Sequence, residues 1–203
     1  MSAVDHPARK AALRRELRRA RRALPPAQAA AEAAATVAAL EVWLATRADP
    51  VIAAYMALPG ELDLGALLAR RWAAGLVVWL PAVRGVGLDW HAVTSRDQLR
   101  PGAFGVSEPD PGLVPAGAVP AHTVALVPGV GFGRDGRRLG QGGGFYDRFL
   151  ASHPGPAIGI GYACQRCDGL PVEPHDRPMT GVLLGGDWLR HPATPAQGPG
   201  TDA

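Results

Sequence analysis

The sequence predicts an α/β domain of three layers, α/β/α, around a mostly parallel open sheet of Rossmann-like type. Short apolar runs at 51–55, 76–80, 123–127, 157–162 and 182–184 alternate with segments of helical period, the pattern of parallel strands joined by crossovers. A glycine-dense run leaves the 123–127 strand at its carboxyl end, where open parallel sheets place their ligands. The 203 residues, 47% hydrophobic and 19% charged, suit one globular domain, expected over 1–190 with a frayed Pro/Gly-rich tail over 191–203.

The elements follow in order. Residues 8–24 read as a helix with Pro7 at its start, an apolar stripe of Leu13, Leu17 and Leu24, and arginines around it. Alanine propensity carries a second helix over 27–46. A buried strand over 51–55 precedes a helix over 63–74, with Asp63 as cap and Leu64, Leu67, Leu68 and Trp72 inward. Gly75 ends that helix before the 76–80 strand, and 86–93 suggests a further one. Residues 100–120 are rich in Pro and Gly and read as an irregular connection. After the glycine run come a short helix over 145–152 and the strands at 157–162 and 182–184.

Composition excludes several classes. No apolar run approaches the roughly 18 residues of a membrane span, and no uninterrupted apolar core follows the basic N-terminus as in a secretory signal. Two cysteines are too few for a secreted disulfide framework, so the chain is expected in the cytoplasm. Cys164 and Cys167 form a lone C-x-x-C and read as small apolar residues. The net charge is only +3, but eight basic residues fall between Arg9 and Arg22 against one acid, Glu16. A basic helix can serve nucleic acid, yet this one lacks interleaved aromatics, and no nucleic-acid partner is expected. Among 20 arginines the chain has one lysine, Lys10, which suggests a need there for a compact, flexible ammonium.

Residues 129–147 read GVGFGRDGRRLGQGGGFYD, with eight glycines. There is no Walker A sequence, and the G-x-G-x-x-G at Gly131, Gly133 and Gly136 is not followed at once by a helix. Phosphates fit better on Gly142, Gly143 and Gly144, just before the helix beginning near Phe145, where free amides and the helix dipole favour anions. Asp147, in the first turn, either complements that dipole or holds magnesium at the phosphates. Lys10 and Arg14 share a helix face and repel each other, so an anion is their natural partner. Arg18, Arg19, Arg21 and Arg22 read as a solvated basic face.

Taken together these segments resemble the 5-formyltetrahydrofolate cyclo-ligases over roughly residues 8–185. RRLGQGGGFYDRFL is similar to that family's R-L-G-x-G-x-G-[YF]-Y-D loop, and Lys10, Leu13 and Arg14 to its K-x-x-L-R signature. Glu61 matches its E-[VI]-D element, FGVSEP its aromatic-G-x-x-[EQ]-P segment, and LPVEPHDRPM its L-P-x-x-x-H-D-x-P-[ML] segment. The resemblance implies ATP-dependent closure of 5-formyltetrahydrofolate to 5,10-methenyltetrahydrofolate, by a monomer whose partners are those two small molecules. Lys10, Arg14 and Arg138 would act in catalysis. ATP would meet them together with Leu139, Gly140, Gln141, Gly142, Gly143, Gly144, Phe145 and Tyr146. Met56, Glu61, Phe104 and the loop from Gln141 to Phe145 would meet the folate, and Asp147 would bind Mg2+.

The chain departs from the family in three ways. Phe145 stands where tyrosine is usual, and Gln141 where arginine is frequent. Thr180, Leu184 and Gly185 stand where the family has an Asp and a Thr-Glu pair, which leaves Asp147 without a second carboxylate. His175 and Asp176 read as loop-fixing residues. The rival readings are a homologue that binds nucleotide or folate without turnover, and a nucleic-acid-binding module built on the basic helix. Lys10→Ala is expected to raise the ATP concentration needed for half-maximal rate sharply; a wild-type ATP dependence in that variant would refute the use assigned to the lone lysine.

Overall fold

The computed structural model describes residues 6–102, 105–171 and 177–192. Its centre is an eight-stranded sheet in the order β12-β11-β10-β7-β1-β2-β3-β6. These strands are β1 (Ile52–Ala53), β2 (Val78–Arg84), β3 (Gly87–Val93), β6 (Ala116–Gly117), β7 (Val124–Pro128), β10 (Ala157–Gly161), β11 (Gly181–Leu184) and β12 (Asp187–Arg190). The middle five, from β11 to β2, run parallel. Antiparallel strands close both flanks, β12 on one side and β3 with β6 on the other. The remaining strands form two small hairpins, β4 (Leu99–Pro101) with β5 (Ser107–Pro109), and β8 (Gly131–Phe132) with β9 (Arg138–Leu139).

Helices cover both faces. On one lie α2 (Pro26–Leu44) and α3 (Gly65–Ala73), whose Val37, Leu40, Trp43, Leu67 and Leu68 join Ile52, Val78, Leu126 and Ile158 in the main core. On the other lies α4 (Phe145–Ser152), where Leu150 packs with Val127, Phe132, Met179 and Val182. The fully buried Phe132 ring needs the missing side chain of Gly159: a Cβ there would sit 2.6 Å from its Cε1. The basic helix α1 (His6–Arg22) packs beside the β8–β9 hairpin. Its Leu13 and Leu17 meet Val130, Leu139 and Leu170, and a Cβ on Gly131 would come within 2.5 Å of Leu17 Cδ1.

The expected three-layer class is observed, with local differences of clear origin. The first strand shortens to Ile52–Ala53, and β2 begins at Val78, because Leu76 is left exposed on the approach. Asp63 does not cap α3: Leu64 holds that position, while Asp63 Oδ1 accepts from the Gly65 N–H at 2.8 Å. The 100–120 segment is not wholly irregular, since parts of it pair as the β4–β5 hairpin and as β6 against β3. The sheet does not end at 182–184. Gly185 and Gly186, with φ of 60° and 99°, turn the chain into β12 through a conformation other residues adopt only with strain. Of the expected tail only His191 and Pro192 are described. No described helix is long and apolar enough to cross a membrane.

His153, at the end of α4, gives the fold a pH dependence. It is almost fully buried, stacks on Phe149 at 4.9 Å and donates through Nε2 to Thr123 O at 2.9 Å. Burial pushes its pKa below the usual histidine value; the Thr123 carbonyl opposes this and the nearby Arg177 charge adds to it. A depressed pKa means that the unfolded chain binds the proton more readily, so this stability is present above about pH 6.5 and is lost as pH falls. Melting temperature is expected to drop between pH 7 and pH 5, with part of the drop absent in His153→Asn; an unchanged pH profile in that variant refutes the assignment.

Candidate active site

The carboxyl ends of β7, β1 and β2 open into a cavity of about 540 Å³. Pro128 comes from the end of β7, Tyr55 and Met56 from the exit of β1, and Pro81 and Val83 from β2. The glycine loop and the start of α4 supply Arg138, Gly140, Gln141, Gly143, Gly144, Phe145, Tyr146 and Asp147. From α1 come Arg18, Arg21 and Arg22, and from the β4–β5 hairpin Ser107 and Glu108.

The loop is pinned at both ends. Buried Gln165 donates through Nε2 to Gly129 O at 2.7 Å and Val130 O at 3.1 Å, fixing the exit from β7. Arg138, its side chain only 5% exposed, donates to Pro128 O at 3.2 Å, pairs with Asp147 and stands over the Tyr146 ring at 5.7 Å. Gly142 and Gly144 have φ of 110° and 68°, so the loop turns into α4 through left-handed backbone. A side chain on Gly143 would strike Phe145, with its Cβ 2.7 Å from Cε2. Successive small residues in such conformations leave amides open toward an anion.

Glu61 is buried beside this loop. Its Oε1 accepts from Gln141 Nε2 at 3.1 Å and its Oε2 from the Leu58 N–H at 3.2 Å. It is thus a turn-anchored acceptor four residues ahead of α3, not a charge on that helix. Gln141 is held in turn by Arg18, whose Nη2 reaches Gln141 Oε1 at 2.7 Å and its backbone O at 3.2 Å. Arg18, Arg21 and Arg22 all face the cavity, which corrects their reading as a solvated basic face. The i, i+4 spacing of Arg14 and Arg18 was the signal that could have found this.

The expected residues divide. Met56, Glu61, Arg138, Gly140, Gln141, Gly143, Gly144, Phe145, Tyr146 and Asp147 share one cavity. Lys10, Arg14, Leu139 and Gly142 do not line it. Arg14 grips the loop from outside, donating to Gly140 O at 2.9 Å. Leu139 is buried against α1 and offers a ligand only its backbone. Lys10 lies one turn, about 6 Å, before Arg14. Phe104, His175 and Asp176 fall outside the described residues. Met56 lines the cavity and also packs against the main core.

Among the described residues no three His, Cys, Asp or Glu side chains cluster as metal ligands. Asp147 is one-third exposed and engages Arg138 through Oδ1. A site of this kind suits magnesium that takes its other ligands from phosphate and water. Thr180 Oγ1 accepts from the Ala157 N–H at 3.0 Å, and Leu184 is buried. Beside Gly185, Glu32 Oε2 lies 2.9 Å from where a Cβ would stand, and the same oxygen accepts from the Ala163 N–H. Cys164 and Cys167 are free, and burial pushes both thiols above their usual range, away from reactive thiolate.

The architecture and cavity define a Rossmann-like α/β protein with a glycine loop facing a buried carboxylate. The comparisons name the family within that class. Residues 6–185 match the model of the 5-formyltetrahydrofolate cyclo-ligase family, and the chain belongs to it. It is 34% identical over 154 residues to a 5-formyltetrahydrofolate cyclo-ligase of Mycolicibacterium smegmatis, covering 71% of this chain and 79% of that one. For the Escherichia coli K12 protein of that name the identity is 30% over 141 residues, covering 65% and 76%. The solved 5,10-methenyltetrahydrofolate synthetase of Aquifex aeolicus superposes with a TM-score of 0.74 at 28% identity, covering 89% and 92%. One from Mycoplasma pneumoniae superposes at 0.66 and 22% identity, covering 88% and 99%, a likeness of fold.

Tyr55, Tyr146 and Tyr162 are the only tyrosines, and burial pushes all three hydroxyls up. The Glu61 charge adds to this at Tyr55 and Tyr146, and Arg138 opposes it at Tyr146. At pH 10, where free tyrosine is about half ionised, the native protein is expected to show far less tyrosinate absorbance near 295 nm than the denatured chain. Equal absorbance would contradict the buried hydroxyls at the cavity.

Proposed function

We propose that this chain closes 5-formyltetrahydrofolate to 5,10-methenyltetrahydrofolate with hydrolysis of ATP to ADP and phosphate. The observation that carries this reading is that the glycine loop and the buried Glu61 carboxylate face one cavity, bridged by Gln141. Family membership supplies the reaction class, and the relatives' names supply the substrate.

The formyl oxygen is a poor leaving group until it carries a phosphoryl group. A bond forms from that oxygen to the γ-phosphorus as the bond to the departing ADP breaks. The neighbouring folate nitrogen then attacks the activated carbon and loses its proton, and phosphate leaves with the formyl oxygen. Such transfer depends on positioning and charge neutralisation more than on a protein nucleophile. In this reading the amides from Gly142 to Gly144 hold phosphate oxygens. Arg138, held by Pro128 O and Asp147, offers positive charge to the transferring group. Lys10 and Arg14 act from α1 at the edge of the site, Arg14 through its hold on Gly140 O. Glu61 accepts hydrogen bonds from the pterin, with Met56 and Phe145 against its ring. Magnesium, when held by Asp147, would neutralise phosphate charge.

The nucleic-acid reading is the weaker one, because Arg18, Arg21 and Arg22 line the cavity. The reading as a binder without turnover is motivated by Thr180 and Gly185, which serve backbone hydrogen bonds and packing here. One assay separates the readings. Protein, 5-formyltetrahydrofolate, ATP and Mg2+ are mixed, and methenyl product is followed by near-ultraviolet absorbance with ADP measured in parallel. Product and ADP are expected in equal amounts. Binding of both ligands without either product would sink the enzyme reading.

A further inference from the structure

The bridge from α1 to Glu61 extends that reading and rests on it. Both Glu61 oxygens already accept one hydrogen bond, from Gln141 Nε2 and from the Leu58 N–H, which fixes the plane of the carboxylate. Each oxygen keeps further lone-pair capacity. A fixed, planar, two-oxygen acceptor suits a ligand edge that carries two adjacent N–H donors, as the amino-pyrimidinone edge of a pterin does.

What decides the orientation of Gln141 lies on the basic helix. Arg18 donates to Gln141 Oε1 through Nε at 3.2 Å and Nη2 at 2.7 Å, and through Nη2 to the Gln141 backbone O at 3.2 Å. A guanidinium on the amide oxygen leaves only the NH2 group to face Glu61. The flipped amide would set its carbonyl against the carboxylate and its NH2 against the cation, losing every one of these side-chain bonds. Leu17, the neighbour of Arg18, is buried against Val130 and Leu139, so α1 is seated where this reach is possible.

We propose that Arg18 and Gln141 form a positioning pair that aims the Glu61 carboxylate at the pterin edge, so that folate affinity is set partly from the basic helix. Neither residue need touch the folate edge for this: Arg18 acts through Gln141, and Gln141 through Glu61. Both side chains reach solvent in part, so their truncation leaves the core intact.

A double-mutant cycle tests this. Binding of 5-formyltetrahydrofolate in the absence of ATP is measured by titration for the wild-type chain, Arg18→Ala, Gln141→Ala and the double variant, with melting temperatures as a folding control. Each single variant is expected to bind about tenfold more weakly, the weight of roughly 1.4 kcal/mol, and the double no more weakly than Gln141→Ala. Gln141→Glu, which sets a like charge against Glu61, is expected to bind more weakly than Gln141→Ala. A non-hydrolysable ATP analogue should bind Arg18→Ala within about twofold of wild type, since that loss concerns the folate side. Additive losses in the double variant, or loss of the ATP analogue with folate binding intact, overturn the positioning pair while leaving the cyclo-ligase reading in place. Failure of the wild-type chain to bind 5-formyltetrahydrofolate overturns that reading and the pair with it.

Discussion

The site depends on how Leu17 seats α1 over Gly131. The missing side chain at Gly131 lets the leucine approach where a methyl would stand 2.5 Å from its Cδ1, and Val130, Leu139 and Leu170 complete the pocket around it. This apolar contact fixes both the rotation and the height of a helix that is otherwise polar. Arg14 then falls on Gly140 O, and Arg18 on Gln141, one helical turn further on. The arginines do not hold the helix by charge alone. Burial holds it, and the arginines are thereby aimed.

The sheet obeys the same economy of parts. Parallel strands at the centre place their carboxyl ends together, so that three consecutive exits converge on one cavity without long loops. One part of the cavity wall comes from the second half of β2, which outruns its parallel partner and continues as a hairpin with β3. Arg148 ties that hairpin to the loop, bonding both Val86 O and Gly143 O.

Much of this was legible in the sequence, for physical reasons that differ by element. The strand at β7 and the helix α4 were visible because burial writes long apolar runs and caps leave glycine signals. The β11–β12 hairpin was hidden although Gly185-Gly186 is a strong two-residue turn sequence, because β12 is only four residues long. The β4–β5 hairpin was hidden because Pro and Gly in 100–120 outweigh its three-residue strands. At the site, motif spacing led to the expectation that Glu61 and the glycine loop belong together, and both line one cavity. The contact of Arg18 with Gln141 was not legible, since it joins positions 123 residues apart in the chain. One-dimensional periodicity shows which residues share a helix face but not what that face will meet.

Gly185 carries a consequence for how this chain can change. Its left-handed backbone, its place in a tight hairpin and the carboxylate of Glu32 beside it all exclude an ordinary side chain. An acid introduced at 185 would meet strained backbone, crowding against Ala163 and a like charge at once. A carboxylate there would be easier to accept after residue 32 on α2 became small or neutral, which couples the two positions. The neighbourhood has a preferred mutational order, written in the contact between a helix and a two-glycine turn.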